Sequence, residues 1–394
     1  MAFLANSAVN RVNLHYGVMA LAQSGGGVFF VVFLLHVGLS VPAALATIAA
    51  ILALRFAIRP AILPLARRWG VKPVLIAGTL FLALQYQVLA SVHGIGWALA
   101  ALCVVAAVGD VLYWPSYNAY FASIGDAEHR GHQISAREAL VSVVGIVAPL
   151  MGAWALVTLG AREMFAAVGV VQALAALPLI GAPNVAVKAS APGAFRAARL
   201  GVILSASDGW FDACFFFVWQ IALFVSLGSS FSAYGGAMAL AALVGAACGL
   251  LLGRHIDAGH GRRALVIACG VAAAVVLMRA VSIGSPWLAV GANALGAVVG
   301  SLILPAFATA SYNMAKASPC PMRFHIATEA GWDVGCSLAC LAAAALSASG
   351  VPLSAAILLA LPALALAGLA ARRYYAGAPA APIGAAVVVG SGGD

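Results

Sequence analysis

An all-α membrane protein of twelve spans, arranged as two related six-helix halves, is the fold class the sequence predicts. Three observations carry this. Hydrophobic residues make up 64% of the 394-residue chain and charged residues 8%. A soluble domain is nearer a quarter charged, so the solvent for this chain is lipid. Apolar runs of about 20 residues recur along the whole length, and they are continuous, unlike the short alternating segments of a β-barrel. The basic residues gather in every second gap between those runs.

Taken in order, the runs predict spans at 14–36, 41–64, 73–92, 97–124, 133–158, 163–182, 198–226, 230–253, 264–283, 286–315, 323–348 and 352–371. Span 1 carries "SGGG" (24–27), where glycine suits either close packing or local unwinding around a ligand. Span 2 contains Arg55 and Arg59. Span 4 contains Asp110 and Pro115, and span 5 opens with Arg137–Glu138. Pro183 to Arg199 forms the longest gap and divides the spans six and six. Span 7 contains Asp208 and Asp212, span 9 Arg279, span 10 Pro305, and span 11 Glu329 and Asp333. The Ala/Pro/Gly-rich tail is too short to span and is expected to be disordered. The expected organisation is a first bundle over 1–182, a linker over 183–199, a second bundle over 200–372 and a tail over 373–394.

Placing both termini inside puts fifteen of the twenty Lys and Arg on the cytoplasmic side, one (Arg162) outside and four within spans. That asymmetry is the positive-inside pattern. The net charge of +9 therefore reads as topology, and no nucleic-acid partner is expected. The seven cysteines suggest neither a disulfide framework nor a metal site. The polar lead shows no cleavable signal pattern. His15 and His36, near span ends, are expected at the interface. His129, His132, His255 and His260 lack firm metal-ligand spacing.

The halves echo each other. "VFFVVF" (28–33) in span 1 answers "CFFFVW" (214–219) in span 7. Pro115, followed by Arg130, Gly131, His132 and Glu138–Ala139, answers Pro305, followed by Arg323, Phe324, His325 and Glu329–Ala330. Parallel six-span repeats mark one transporter architecture. The loop after span 8, "GRHIDAGHGRR" (253–263), resembles the G-x-x-x-D…G-R-R loop of the major facilitator superfamily, with Gly253, Asp257, Gly261, Arg262 and Arg263 in the motif positions and one extra residue between Asp257 and Gly261. The first-half copy, "LARRWGVKPVL" (65–75), keeps Gly70 and Lys72 but has Arg67 where the acid stands. "PSYNAYFASIGDAEHRGH" (115–132) resembles the family's span 4 exit. "GIVAPLMGAW" (145–154) approximates a stretch associated with its proton-coupled exporters, with Ala148 and Ala153 replacing glycines; ordinary helix packing explains it as well. The resemblance covers roughly 1–372. It implies that spans 1, 2, 4, 5, 7, 8, 10 and 11 line a central cavity or the seam between halves.

Carboxylates and guanidinium groups are costly in hydrocarbon, so their positions are informative. Arg55/Arg59, Asp208/Asp212 and Glu329/Asp333 are each spaced i,i+4, which stacks both groups on one helix face. Asp208 and Asp212 fall near mid-bilayer, and their face is expected to continue through Phe215 and Trp219. Span 4 offers a similar face in Asp110, Trp114, Tyr117 and Phe121. Acid beside aromatic suits an organic cation and also suits a proton, because two acids one turn apart cannot cheaply both be charged. A structural acid bonded to a neighbouring group is the alternative. If spans 2 and 11 meet across the seam, Arg55/Arg59 and Glu329/Asp333 are opposite in sign and suit a gate; Arg137 and Glu138 join this charge network. The alternatives are an anion site on the arginines, or structural pairing. Gln23, Gln85, Gln87, Asn293 and Asn313 are polar contacts or inter-helical glue.

No G-x-x-x-x-G-K-[ST] sequence or intramembrane catalytic centre is legible, so neither an ATP-driven pump nor an enzyme is expected. Six intramembrane acids face four bases, which favours a cationic or neutral substrate. The expected function is secondary active transport of a small organic solute, by proton-coupled export. Uptake by symport, with an anion on Arg55/Arg59, is the alternative; a non-transporting sensor or assembly factor on the same fold is another. Expected partners are a small-molecule substrate, protons or another cation, and the bilayer, with no cofactor and a monomeric chain. The expected location is the bacterial cytoplasmic membrane with both termini inside.

Overall fold

The computed structural model describes residues 6–124, 130–256 and 261–377; the side chains of 130–139, 249–256, 261–265, 375–377 and several positions between 301 and 312 are not described. The helical passages are α1 (Ser7–His36), α2 (Val41–Trp69), α3 (Val71–Ala90), α4 (Trp97–Ile124), α5 (Arg130–Thr158), α6 (Ala161–Ile180), α7 (Arg199–Ser226), α8 (Phe231–Ile256), α9 (Gly261–Ser282), α10 (Pro286–Ala317), α11 (Pro321–Ala348) and α12 (Leu353–Leu358, continued by Ala360–Gly377). Ten are long and apolar enough to cross a membrane within the described residues. Apolar stretches in α9 (Val266–Ser282) and α10 (Pro286–Gly300) bring the passages to twelve. The chain is an integral membrane protein, as its composition predicts. Trp97 and Trp287, at the starts of α4 and α10, are more than four-fifths exposed and stand at one face. That is where an aromatic belt is expected.

Two passages break at repeat-equivalent places. In α1 the α-helix stops at Gly25, passes through Gly26 and a 3-10 turn at Gly27–Phe29, and resumes at Phe30. In α7 it widens into a π-turn over Ala213–Val218, directly after Asp212. The "SGGG" stretch thus unwinds and also packs closely: a Cβ on Gly152 of α5 would overlap the Gly25 backbone. Pro60 lacks an N–H, and α2 accordingly tightens to a 3-10 turn at Arg59–Ala61.

Helix neighbours repeat with a shift of six. α1 packs on α5 and α6, as α7 does on α11 and α12. α2 and α3 pack on α4, as α8 and α9 do on α10, and α3–α6 answers α9–α12. Between the halves, α2–α11 answers α5–α8. The α7–α11 contact is tight because Cβ atoms are missing where the helices cross. Gly209 abuts the Trp332 backbone, Gly331 abuts Val202, and Gly335 abuts Ala206. Gly335→Ala is expected to destabilise the protein by about 1–3 kcal/mol, because a methyl group there meets backbone rather than a movable side chain. Thermal unfolding of purified protein checks this. Gly236→Ala, in open space on α8, should leave the melting temperature unchanged.

One sequence expectation needs correction. His15 is fully buried: Nδ1 donates to the Ala175 carbonyl (2.7 Å) and Nε2 faces the Tyr113 hydroxyl (3.0 Å). A polar ring with two internal partners has no need of the interface. His36 is exposed at a helix end. The last helix runs to Gly377 and includes Arg372 and Arg373. The first-half loop is braced without an acid: Asn184 of the linker accepts from the Lys72 backbone N–H (3.2 Å) and donates to the Trp69 carbonyl (2.8 Å), while Gly70 takes φ +83. In the second-half loop, Asp257, the surroundings of Gly253 and Gly261, and the side chains of Arg262 and Arg263 lie outside the described residues.

Candidate functional site

At the middle of the helix bundle, α2, α4, α7 and α11 bring five carboxyl groups and two guanidinium groups together. Arg55 stands fourteen residues from either end of α2, which places it near mid-membrane. Its Nη1 lies 3.2 Å from Asp110 Oδ2, and its Nη2 lies 3.0 Å from Asp333 Oδ1 and 3.8 Å from Glu329 Oε2. Arg59, one turn further along α2, donates to Asp333 through Nε (3.0 Å) and Nη2. Both arginines and Asp333 are buried. Asn118 of α4 donates to Glu329 Oε1 (3.4 Å).

The charge pairing of span 2 with span 11 is therefore present as geometry. Asp110 is placed differently from the sequence expectation. It was grouped with Trp114 and Tyr117 as an acid-and-aromatic face, yet its Oδ2 takes the Arg55 guanidinium and its Oδ1 accepts from Trp114 Nε1 (3.2 Å). Tyr117 turns away into a column with Tyr16 and Tyr113, at ring distances of 5.0 and 5.7 Å, and with Phe121. It is buried there.

Asp208 and Asp212 sit one turn apart on α7, partly exposed to the interior space of the bundle. Among the described residues neither forms a salt bridge. Asp212 Oδ2 accepts a hydrogen bond from Trp332 Nε1 of α11 (3.2 Å). The expected continuous face from these acids to Trp219 is broken. The π-turn adds a residue to the helical cycle directly after Asp212 and rotates everything beyond it. Trp219 is instead 2% exposed, donates to Asn293 Oδ1 (3.0 Å) and stacks under Arg279 at 4.7 Å.

Arg279 packs against this turn. It is buried, lies 3.8 Å over the Phe215 ring and donates to the Phe215 carbonyl at 2.5 Å. Phe215 belongs to the π-turn, whose altered hydrogen bonding frees carbonyls that need donors. Arg279 thus holds the turn that follows Asp212.

Gln23 is partly buried on α1 beside Gly27. Asn293 bridges to the Ala237 carbonyl of α8 (2.9 Å) and Gln87 to the Ala166 carbonyl of α6 (3.3 Å), both acting as glue between helices. The side chains of Arg137 and Glu138 lie outside the described residues. Sequence reasoning passed over Trp332, since tryptophan in a membrane span is ordinary; its position between Glu329 and Asp333 was the available signal.

Contacts bridge the helices at both ends of this centre. On the face carrying the linker, Arg323 of α11 donates to the carbonyls of Lys188 (3.1 Å) and Ala189 (3.0 Å). On the opposite face, Phe29 of α1 meets Phe231 and Tyr234 of α8, and Tyr234 Oη donates to the Val28 carbonyl (3.2 Å).

A sequence model described as the Major Facilitator Superfamily matches residues 12–207. Among solved structures, the chain is similar to one described as a POT family transporter in complex with 5-aminolevulinic acid. The TM-score is 0.69 at 9% sequence identity, over 92% of this chain and 94% of that one. At that identity the likeness is one of fold. No curated protein matches the chain.

Proposed function

This chain belongs to the major facilitator superfamily and is a secondary transporter; we propose that it exports a small organic cation in exchange for protons. The halves 1–182 and 200–372 would rock about the central site, joined by the linker 183–199, with the linker face in the cytoplasm. The charge bias of the loops supports that orientation.

One observation carries the substrate class. Arg55 and Arg59 are already engaged by Asp110, Glu329 and Asp333, while Asp208 and Asp212 face the interior without a basic partner among the described residues. An anion arriving at the arginines would have to displace carboxylates held at 3.0–3.2 Å. A cation arriving at the acid pair displaces only a proton or water. Buried carboxylates without a counter-ion are costly, so a shared proton or a bound cation must offset the charge of the pair, and at most one acid stays ionised when no cation is bound.

Antiport follows from the same chemistry. A proton and an organic cation compete for the same oxygens, so loading one releases the other. Symport would need a proton site separate from the substrate site. With the gradient directed inward for protons, the cation moves outward.

A thermal-shift screen across cationic, zwitterionic and anionic metabolites tests the class. Organic cations are expected to raise the melting temperature of the wild type and to lose that effect in the Asp208→Asn/Asp212→Asn double variant. Stabilisation by anions that disappears in Arg55→Lys would overturn the proposal.

A further inference from the structure

We propose that Trp332 is the link through which the α2–α11 charge contact, acting as a gate, reads the occupancy of the Asp208/Asp212 pair. This rests on the reading that the pair holds the transported cation or proton. Trp332 touches both parts of the centre at once. Its indole N–H donates to Asp212 Oδ2 (3.2 Å), and its ring lies under the Arg55 guanidinium, 5.4 Å from centroid to Cζ. Arg55 in turn pairs with Asp110 of α4 and with Asp333 and Glu329 of α11. Arg55 and Asp110 lie in the first half of the chain, and Trp332 and Asp212 in the second.

The backbones around Trp332 have little freedom. Gly331 and Gly335 bring α11 into backbone contact with α7 on either side of it, and Gly209 abuts the backbone of Trp332 itself. Asp212 and Trp332 therefore keep their relative place, and the part free to change is the indole ring. With Asp212 ionised, a charge-assisted hydrogen bond fixes the ring beneath Arg55. A proton on the carboxyl group removes its charge, and an ammonium group competes with the N–H for Oδ2; either way the bond loses its charge-assisted strength. The ring is then free to turn, Arg55 loses a cation–π partner, and the α2–α11 contact is held by ion pairs alone. Occupancy of the acid pair is thereby converted into a weaker gate, without any direct contact between substrate and arginine.

Hydrogen–deuterium exchange on the purified full chain, without substrate, reads the coupling. The informative segments are residues 55–66 of α2 and 321–333 of α11. Trp332→Phe keeps an aromatic face and removes only the donor. It should raise exchange in both segments by roughly tenfold, the scale of one hydrogen bond to a charged acceptor. Asp212→Asn should raise it comparably, and the double variant no further than the larger single effect. Trp332→Tyr, which also lacks the indole donor, should behave as Trp332→Phe does and covers the case of a poorly folding first variant. Wild-type exchange in both Trp332 variants, or singles whose factors multiply in the double, would overturn the link. Raised exchange that extends over 336–348 as well would mark a general loss of packing and equally overturn it. Transport by Asp212→Asn is a separate measurement: normal gradient-driven transport with coupled exchange would sink the cation reading and leave the link standing.

Discussion

Asp212→Asn is expected to abolish transport driven by a pH gradient while leaving exchange of substrate for substrate intact. The amide keeps the shape of the carboxyl group and fixes it in a neutral form. Exchange needs only a site that binds and reorients, whereas concentration needs a group that releases a proton when substrate arrives. For one proton exchanged per monovalent cation, a one-unit pH gradient sustains about a tenfold concentration ratio. That ratio should fall to about one in the variant. Asp208→Asn should keep a gradient but shift the pH at which it is used, since the remaining acid no longer shares a proton with a neighbour one turn away. Counterflow and gradient-driven uptake on the same vesicles decide the matter. If both variants keep wild-type accumulation and pH profile, the pair is structural.

The second large effect is expected at the seam. Arg59 and Asp333 are a buried pair, 1% and 0% exposed, donating and accepting through two hydrogen bonds. Removing one partner of such a pair costs about 3–5 kcal/mol, because the other charge stays buried. Arg59→Glu goes further and sets two acids against each other, so transport should drop by at least roughly tenfold. Asp333→Arg sets three guanidinium groups together and should be as severe. The double exchange restores opposite charge at the α2–α11 contact and should recover transport only in part. The structure supplies the reason: Asp333 also serves Arg55 at 3.0 Å, and an arginine at 333 would repel it. A double variant no better than the worse single one would remove direct pairing as the basis of the gate.

Fold class, helix count and the sign pattern of the centre were legible in the chain itself. Lipid forces each span to satisfy its own backbone hydrogen bonds, so twelve apolar runs translate directly into twelve helices. The cost of charge in hydrocarbon made Arg55, Arg59, Asp110, Asp208, Asp212, Glu329 and Asp333 conspicuous, and i,i+4 spacing put each pair on one face. The partnerships were not legible in the same way. Asp110 was grouped with the aromatics of its own helix and keeps Trp114 as a partner, but its other oxygen is drawn to Arg55 of the neighbouring α2 by Coulomb attraction in a poor dielectric. Trp219 was extended from Asp212 by helical arithmetic, which holds only while the helix keeps its pitch; a π-turn over Ala213–Val218 rotates it into a pocket shared with Arg279 and Asn293. His15 looked terminal by position and is buried by its partners in α4 and α6. What a span is follows from local composition, because the solvent acts on each segment alone. Which side chain meets which follows from how rigid helices cross, and only the tertiary structure holds that information.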